Sequence, residues 1–182
     1  MPDSSTWEII DNKDIDTDFV DEIVKAGADR IRTCIQCGTC SSVCPSGRQT
    51  AFRTRELMRK ALLGLKDEVL SSSDLWLCST CYTCLERCPR QIKVTDAILI
   101  MRNMAVDHGF MLPQHKKASQ KLLSTGHAVP IDDTNRELRR DLGLDELPPT
   151  THSNKKSLGQ VQEIMKRTGF KTLIEGQKME GK

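Results

Sequence analysis

Two cysteine runs of identical spacing constrain this 182-residue chain more than anything else in it: Cys34, Cys37, Cys40 and Cys44 followed by Pro45, and Cys78, Cys81, Cys84 and Cys88 followed by Pro89. Both read C-x2-C-x2-C-x3-C-P, and together they use all eight cysteines. Intervals of two residues let a turning backbone present three thiols around one centre. The proline after the fourth fixes φ and turns the chain aside. A fold built on this pattern has to bring two short loops together and pack the remaining chain around them.

The spacing is that by which two-cluster ferredoxins hold [4Fe–4S] cubes, three thiolates coming from one run and the fourth from the other. It assigns Cys34, Cys37, Cys40 and Cys88 to one cluster, and Cys78, Cys81, Cys84 and Cys44 to a second. Soft thiolate also suits zinc. Paired zinc knuckles need only C-x2-C, however, and would leave the third cysteine and the Cys-Pro ending without a purpose. A disulfide framework belongs to secreted chains, and the first residues, Met-Pro-Asp-Ser-Ser-Thr-Trp-Glu, carry neither the basic nor the apolar part of a secretory signal.

Composition agrees with a module that assembles clusters from reduced thiols in the cytoplasm. Apolar residues make up 37% and aromatics 4%, so a thin core stapled by the clusters is expected. A formal charge of +2 is too balanced for nucleic acid to be the main partner. Apolar runs such as Ala97-Ile98-Leu99-Ile100-Met101 are far shorter than a membrane span.

Periodicity predicts helices with almost no strand signal. Phe19, Val20, Ile23, Val24 and Ile31 share one helical face behind Asp18 as N-cap. A second helix is expected from Thr54 to Leu65, and a short segment Ser73 to Leu77 leads into the second run. Thr95 is expected to cap a helix ending near Gly109, and Thr134/Glu137 and Ser157/Gln160 read as capping boxes with stops at Gly143 and Gly169. The 33 residues between Cys44 and Cys78 read as helix, where small bacterial ferredoxins use strand and turn. The predicted class is all-α: an α-helical ferredoxin domain over residues 16–111 binding two [4Fe–4S] clusters. An N-terminal extension is expected over 1–15, and a short-helical and extended C-terminal docking extension over 112–182.

The sequence holds no G-x-G-x-x-G behind a strand, no P-loop and no G-x-S-x-G. With every cysteine committed to a cluster, no thiol remains as nucleophile or redox dithiol, so no catalytic residue is assigned. His108, His115, His127 and His152 are spaced apart and read as surface side chains. Thr39 and Thr83 occupy one slot in both runs and can bond cluster sulfurs. Gly38 and its counterpart Tyr82 would make the two environments differ, Tyr82 shielding the second cluster. Arg48, Arg53, Arg87 and Arg90 lie near the runs, where positive charge would raise a cluster's potential. These features describe an electron conduit whose chemistry happens on its partners.

The runs CIQCGTCSSVCP and CSTCYTCLERCPR, with TAFRTRELMRKALLGL and GHAVPIDDTNRELRRDLGLDELPPTTHS, resemble the C-type iron–sulfur subunit of the soluble heterodisulfide reductases of methanogenic archaea. The likeness extends from about Cys34 to His152; the sequence after His152 is less telling. The cysteine runs alone also occur in iron–sulfur subunits of succinate dehydrogenase and glycolate oxidase, while the downstream segments are more diagnostic. The resemblance implies that a flavin-containing A-type subunit splits electron pairs from a hydrogenase or formate dehydrogenase module. This chain would relay electrons to the B-type catalytic subunit, which reduces the coenzyme M–coenzyme B heterodisulfide. The alternatives are a relay for another oxidoreductase and a zinc-bound interaction module.

Overall fold

The computed structural model describes residues 10–175, and the described residues form helices and turns with no β-strand among them. Most of the expected N-terminal extension and the last seven residues of the C-terminal one lie outside the described residues. The chain divides into two compact units, the first ending at Ala105 and the second beginning at Val106.

The first unit contains α1 (Phe19–Lys25), α2 (Thr39–Ser42), α3 (Pro45–Gln49), α4 (Thr54–Leu62), α5 (Lys66–Ser71), α6 (Thr83–Glu86) and most of α7 (Val94–Asp107). Asp18 stands at the N-cap position of α1, but its side chain makes no capping bond; Asp16 Oδ1 instead accepts the backbone N–H of Asp18 at 2.9 Å and of Phe19 at 3.1 Å. The helix stops at Lys25 rather than continuing to Ile31, because the chain turns at Gly27 and resumes as the 3-10 turn Ile31–Thr33. Ile31 is nevertheless fully buried, so its apolar side chain is satisfied by tertiary packing and not by helical register. Thr95 lies inside α7 and is itself buried; it does not cap the helix.

The helix predicted from Thr54 ends at Leu62, and a separate helix, α5, follows. The break is at Gly64, whose φ of +76° is left-handed and whose carbonyl accepts the Asp16 N–H at 2.8 Å. A Cβ there would lie 2.5 Å from the Asp16 carbonyl oxygen, a backbone atom fixed by the α1 cap. Gly64→Ala combines left-handed strain with that clash and should destabilise the protein by about 2–3 kcal/mol. An unchanged denaturation midpoint for the anaerobically purified variant would contradict this account of the α4–α5 corner.

Phe19, Ile23, Phe52, Met58, Ile98 and Met101 are each at most 1% exposed. Each contributes on the order of 1.5–3 kcal/mol by leaving water. Cys84 belongs to this core, and Cys34, Cys40, Cys44, Cys78 and Cys88 pack against it. The cysteine loops are thus walls of the core and not appendages, which is why helix packing can hold their geometry.

The second unit contains α8 (Pro113–Thr125), α9 (Asp133–Asp141), α10 (Lys155–Arg167) and α11 (Phe170–Glu175), with the 3-10 turn Thr151–Ser153 before α10. Side chains tie α8 to the turn and α10: Thr151 Oγ1 donates to the Gly126 carbonyl at 2.7 Å, and Gln162 Nε2 to the Leu123 carbonyl at 3.0 Å. The expected capping boxes are not the caps. Asp132 Oδ1 accepts from Asn135 N–H to start α9, and Asn154 Oδ1 accepts from Lys156 and Ser157 to start α10. In each case an Asp or Asn two or three residues earlier takes the role, as the stronger N-cap residues do. Gly143 and Gly169 do lie just beyond α9 and α10, both at positive φ. No residue of α9 is buried.

Candidate metal centres

The two cysteine runs repeat one another in backbone as well as in spacing. Each is entered through a 3-10 turn, Ile31–Thr33 or Ser73–Leu77, and opens with a cysteine at nearly the same angles: Cys34 at φ −67°, ψ 119° and Cys78 at φ −67°, ψ 121°. The residue before the second cysteine is left-handed in both, Gln36 at φ 55° and Thr80 at φ 53°. So is the residue after it, Gly38 at φ 84° and Tyr82 at φ 62°. A one-turn helix, α2 or α6, then carries the third cysteine and delivers the fourth. Three of these four left-handed residues are not glycine, which costs of order 1–3 kcal/mol each and persists where surrounding structure over-determines the backbone. A Cβ at Gly38 would make only an ordinary contact, 3.7 Å from Arg55, so the position needs its backbone angle more than close approach.

One hollow is lined by Cys34, Cys37, Cys40 and Cys88. A second is lined by Cys44, Cys78, Cys81 and Cys84. Each run therefore places its first three cysteines around one hollow and its fourth beside the other. The short helices make this possible: α2 packs against α6, so the residue leaving each helix emerges next to the opposite run. Apolar side chains complete the walls, Met58, Ile92 and Val94 at the first and Phe52, Ile98 and the ring of Tyr82 at the second.

The sulfurs sit among donors. Backbone N–H groups point at three of them, from Gly47 to Cys44, Thr80 to Cys78 and Ile92 to Cys88, each at 3.4 Å. Thr39 Oγ1 lies 3.4 Å from Cys37 Sγ, and in the matching slot of the second run Cys81 Sγ donates to Thr83 Oγ1 at 3.4 Å. Those hydroxyls hold both thiols below their ordinary range, while burial pushes Cys84 up and Cys40 up to about 11. In both runs the second cysteine, Cys37 or Cys81, is the exposed one. Ligation removes the proton in every case, so loading these sites releases protons.

Several contributors were not visible as such in the sequence. Thr95 lies with its hydroxyl 3.3 Å from Cys84 Sγ, across the core from α7. Gln36 donates from Nε2 to Cys34 Sγ at 3.3 Å. Arg102 donates to the carbonyls of Leu75 at 2.9 Å and Cys78 at 2.6 Å, with its guanidinium 5.6 Å from the centroid of Trp76, and so fixes the entry to the second run. Among the arginines singled out by position, Arg90 lines the first hollow together with Arg55. Arg53 instead holds the turn after α3 through the carbonyls of Gly47, Thr50 and Phe52. Neither hollow is lined by Arg48 or Arg87.

In the second unit two of the supposedly separate histidines come together, His127 and His152 having ring centroids 6.4 Å apart. His152 Nδ1 is 3.1 Å from Thr150 Oγ1. Turn geometry around Gly126 and the 151–153 turn brings them together, which spacing alone does not reveal.

Among the described residues, no three His, Cys, Asp or Glu side chains converge to hold a single ion. Four thiols spread around an apolar hollow, with N–H groups directed at sulfur, instead fit a larger thiolate-bound group that accepts hydrogen bonds at its ligands. Among the described residues no helix is long and apolar enough to cross a membrane.

Comparison with known proteins agrees. A 4Fe-4S dicluster domain family matches residues 30–92, a span holding all eight cysteines. The C-type subunit of the H(2):CoB-CoM heterodisulfide,ferredoxin reductase of Methanothermobacter marburgensis is 51% identical over 166 residues, covering 91% of this chain and 90% of its own. The C-type iron–sulfur subunit of the CoB–CoM heterodisulfide reductase of Methanopyrus kandleri is 45% identical over 174 residues, 91% of each chain. The C-type subunit of the ferredoxin:CoB-CoM heterodisulfide reductase of Methanosarcina mazei is 43% identical over 152 residues, 84% of this chain and 94% of its own. The cofactors of this chain are two [4Fe–4S] clusters.

Proposed function

Because the chain belongs to the family of C-type iron–sulfur subunits of heterodisulfide reductases, we propose that it is the non-catalytic electron relay of such an oxidoreductase. In this reading it carries electrons from a flavin-containing subunit to a catalytic one, which reduces the coenzyme M–coenzyme B heterodisulfide in the cytoplasm. A hydrogenase or formate dehydrogenase module would supply them through the flavoprotein.

The observation that carries the proposal is the pair of four-cysteine hollows. Cys34, Cys37, Cys40 and Cys88 would hold one cluster, and Cys78, Cys81, Cys84 and Cys44 the other. The bound clusters supply reversible one-electron chemistry. The protein's own contribution is to fix the thiols by packing them on the core, to direct N–H groups at sulfur, and to place the two sites on adjoining helices. With four thiols committed at each site and none left over, the chain has no group for disulfide exchange. Substrate chemistry then belongs to a partner. A relay for another oxidoreductase has less support, since the relatives match over most of their length and are named for the heterodisulfide enzyme.

Anaerobically purified chain should be brown, with about eight irons and as much sulfide. It should take electrons from a strong reductant yet leave the heterodisulfide unreduced until the catalytic partner is added. Turnover by the purified chain on its own would place the chemistry here and overturn the relay; colourless protein with stoichiometric zinc would overturn the clusters' ligand assignment as well.

A further inference from the structure

Resting on the ligand assignment above, we propose that Gln36 is a positioning residue that raises the reduction potential of the cluster held by Cys34, Cys37, Cys40 and Cys88, by donating its side-chain amide N–H to Cys34 Sγ. The donor lies 3.3 Å from the sulfur. The side chain is held there against two costs. Its backbone is left-handed at φ 55°, and its amide oxygen is buried without a hydrogen-bond partner. A polar side chain kept in that state is fixed by its surroundings, not parked in a free rotamer.

The second run provides the internal control. Thr80 takes the same slot and nearly the same angle, φ 53°, but its hydroxyl turns to the Ser79 carbonyl at 2.8 Å, and only its backbone N–H reaches Cys78 Sγ. A side-chain donor to the first cysteine of the run is therefore peculiar to the first site. An added electron increases the negative charge on the ligating sulfurs, so a fixed N–H donor strengthens in the reduced state and favours it. Arg55 and Arg90 beside the same hollow act in that direction too, and they remain in place when Gln36 is changed.

The test is a redox titration followed by electron paramagnetic resonance on the full-length, cluster-loaded protein, comparing wild type, Gln36→Gly, Gln36→Glu and Cys34→Ser. Glycine accepts the positive φ, so Gln36→Gly removes the amide without adding strain. Gln36→Glu keeps the shape, deletes the N–H and adds negative charge. One midpoint should fall in both variants, further in Gln36→Glu, while the other stays fixed; the shifted signal should be the one that Cys34→Ser alters. Unchanged midpoints with both signals at full intensity would overturn the role of Gln36 and leave the ligand assignment standing. So would a loss of cluster content with no shift in midpoint, or a fall in Gln36→Gly alone, which would belong to the backbone. A shift in the signal that Cys34→Ser leaves intact would overturn the ligand assignment itself.

Discussion

Replacing Cys44 by serine should damage the cluster of the second run and spare that of the first, although Cys44 belongs to the first run. Iron should drop from about eight toward about four per chain, and the lost signal should be the one also lost in Cys81→Ser. The reason is where Cys44 stands. Its thiol lines the hollow of Cys78, Cys81 and Cys84, accepts the Gly47 N–H at 3.4 Å and packs on the core side of α3, of which it is the N-cap. Cys88 occupies the reciprocal place beside Cys34, Cys37 and Cys40. Serine offers a harder and less acidic ligand, so a cluster that keeps partial occupancy should still show an altered spectrum. Damage confined to the signal that Cys37→Ser removes would refute the crossed assignment and require each run to serve its own cluster.

The spacing grouped the cysteines as the two hollows are lined, three thiols close together, a fourth four residues on, and a proline that turns the chain away; which thiols hold which cluster is what the Cys44 variant tests. The helical character of the 33-residue connection was legible too, from the inward period of Leu57, Ala61 and Leu62. What periodicity misplaced were ends. The corner at Gly64 splits one predicted helix into two because its carbonyl is recruited by Asp16, a partner 48 positions away, and no local pattern encodes that. Thr95 illustrates the same limit at the site. As a threonine before an apolar run it looks like a cap, and only the packing of α7 against the second run turns its hydroxyl toward Cys84. Gln36 and Arg102 likewise have ordinary sequence neighbours, and their roles depend on a backbone angle and on two distant carbonyls respectively.

Truncation after Gly109 should leave both clusters assembled and abolish stable association with the partner subunits, because the second unit is better suited to docking than to holding a cluster. It has no cysteine, and all eight lie before its first residue. Its apolar side chains are also poorly covered by the unit itself: Val129 is 52% exposed, Leu138 55%, Leu142 66% and Leu144 50%. Three of these lie on α9 or the turn after it, so one short helix presents an apolar face that its own unit does not bury. The face borders a groove of about 280 Å³, walled further by Pro130, Ile131 and Pro148, with Arg136 and Arg139 alongside. A continuous exposed apolar patch rimmed by charge is characteristic of an interaction surface. The proposed relay would require the clusters to be held near those of a partner, and a clamp outside the cluster-binding unit would fix that geometry without disturbing the thiols. Leu138→Asp together with Leu142→Asp in the full chain should weaken co-purification with the partner subunits at least tenfold while iron content stays at about eight. A truncated chain that binds its partners as tightly as the intact one would assign the docking surface to the cluster-binding unit instead.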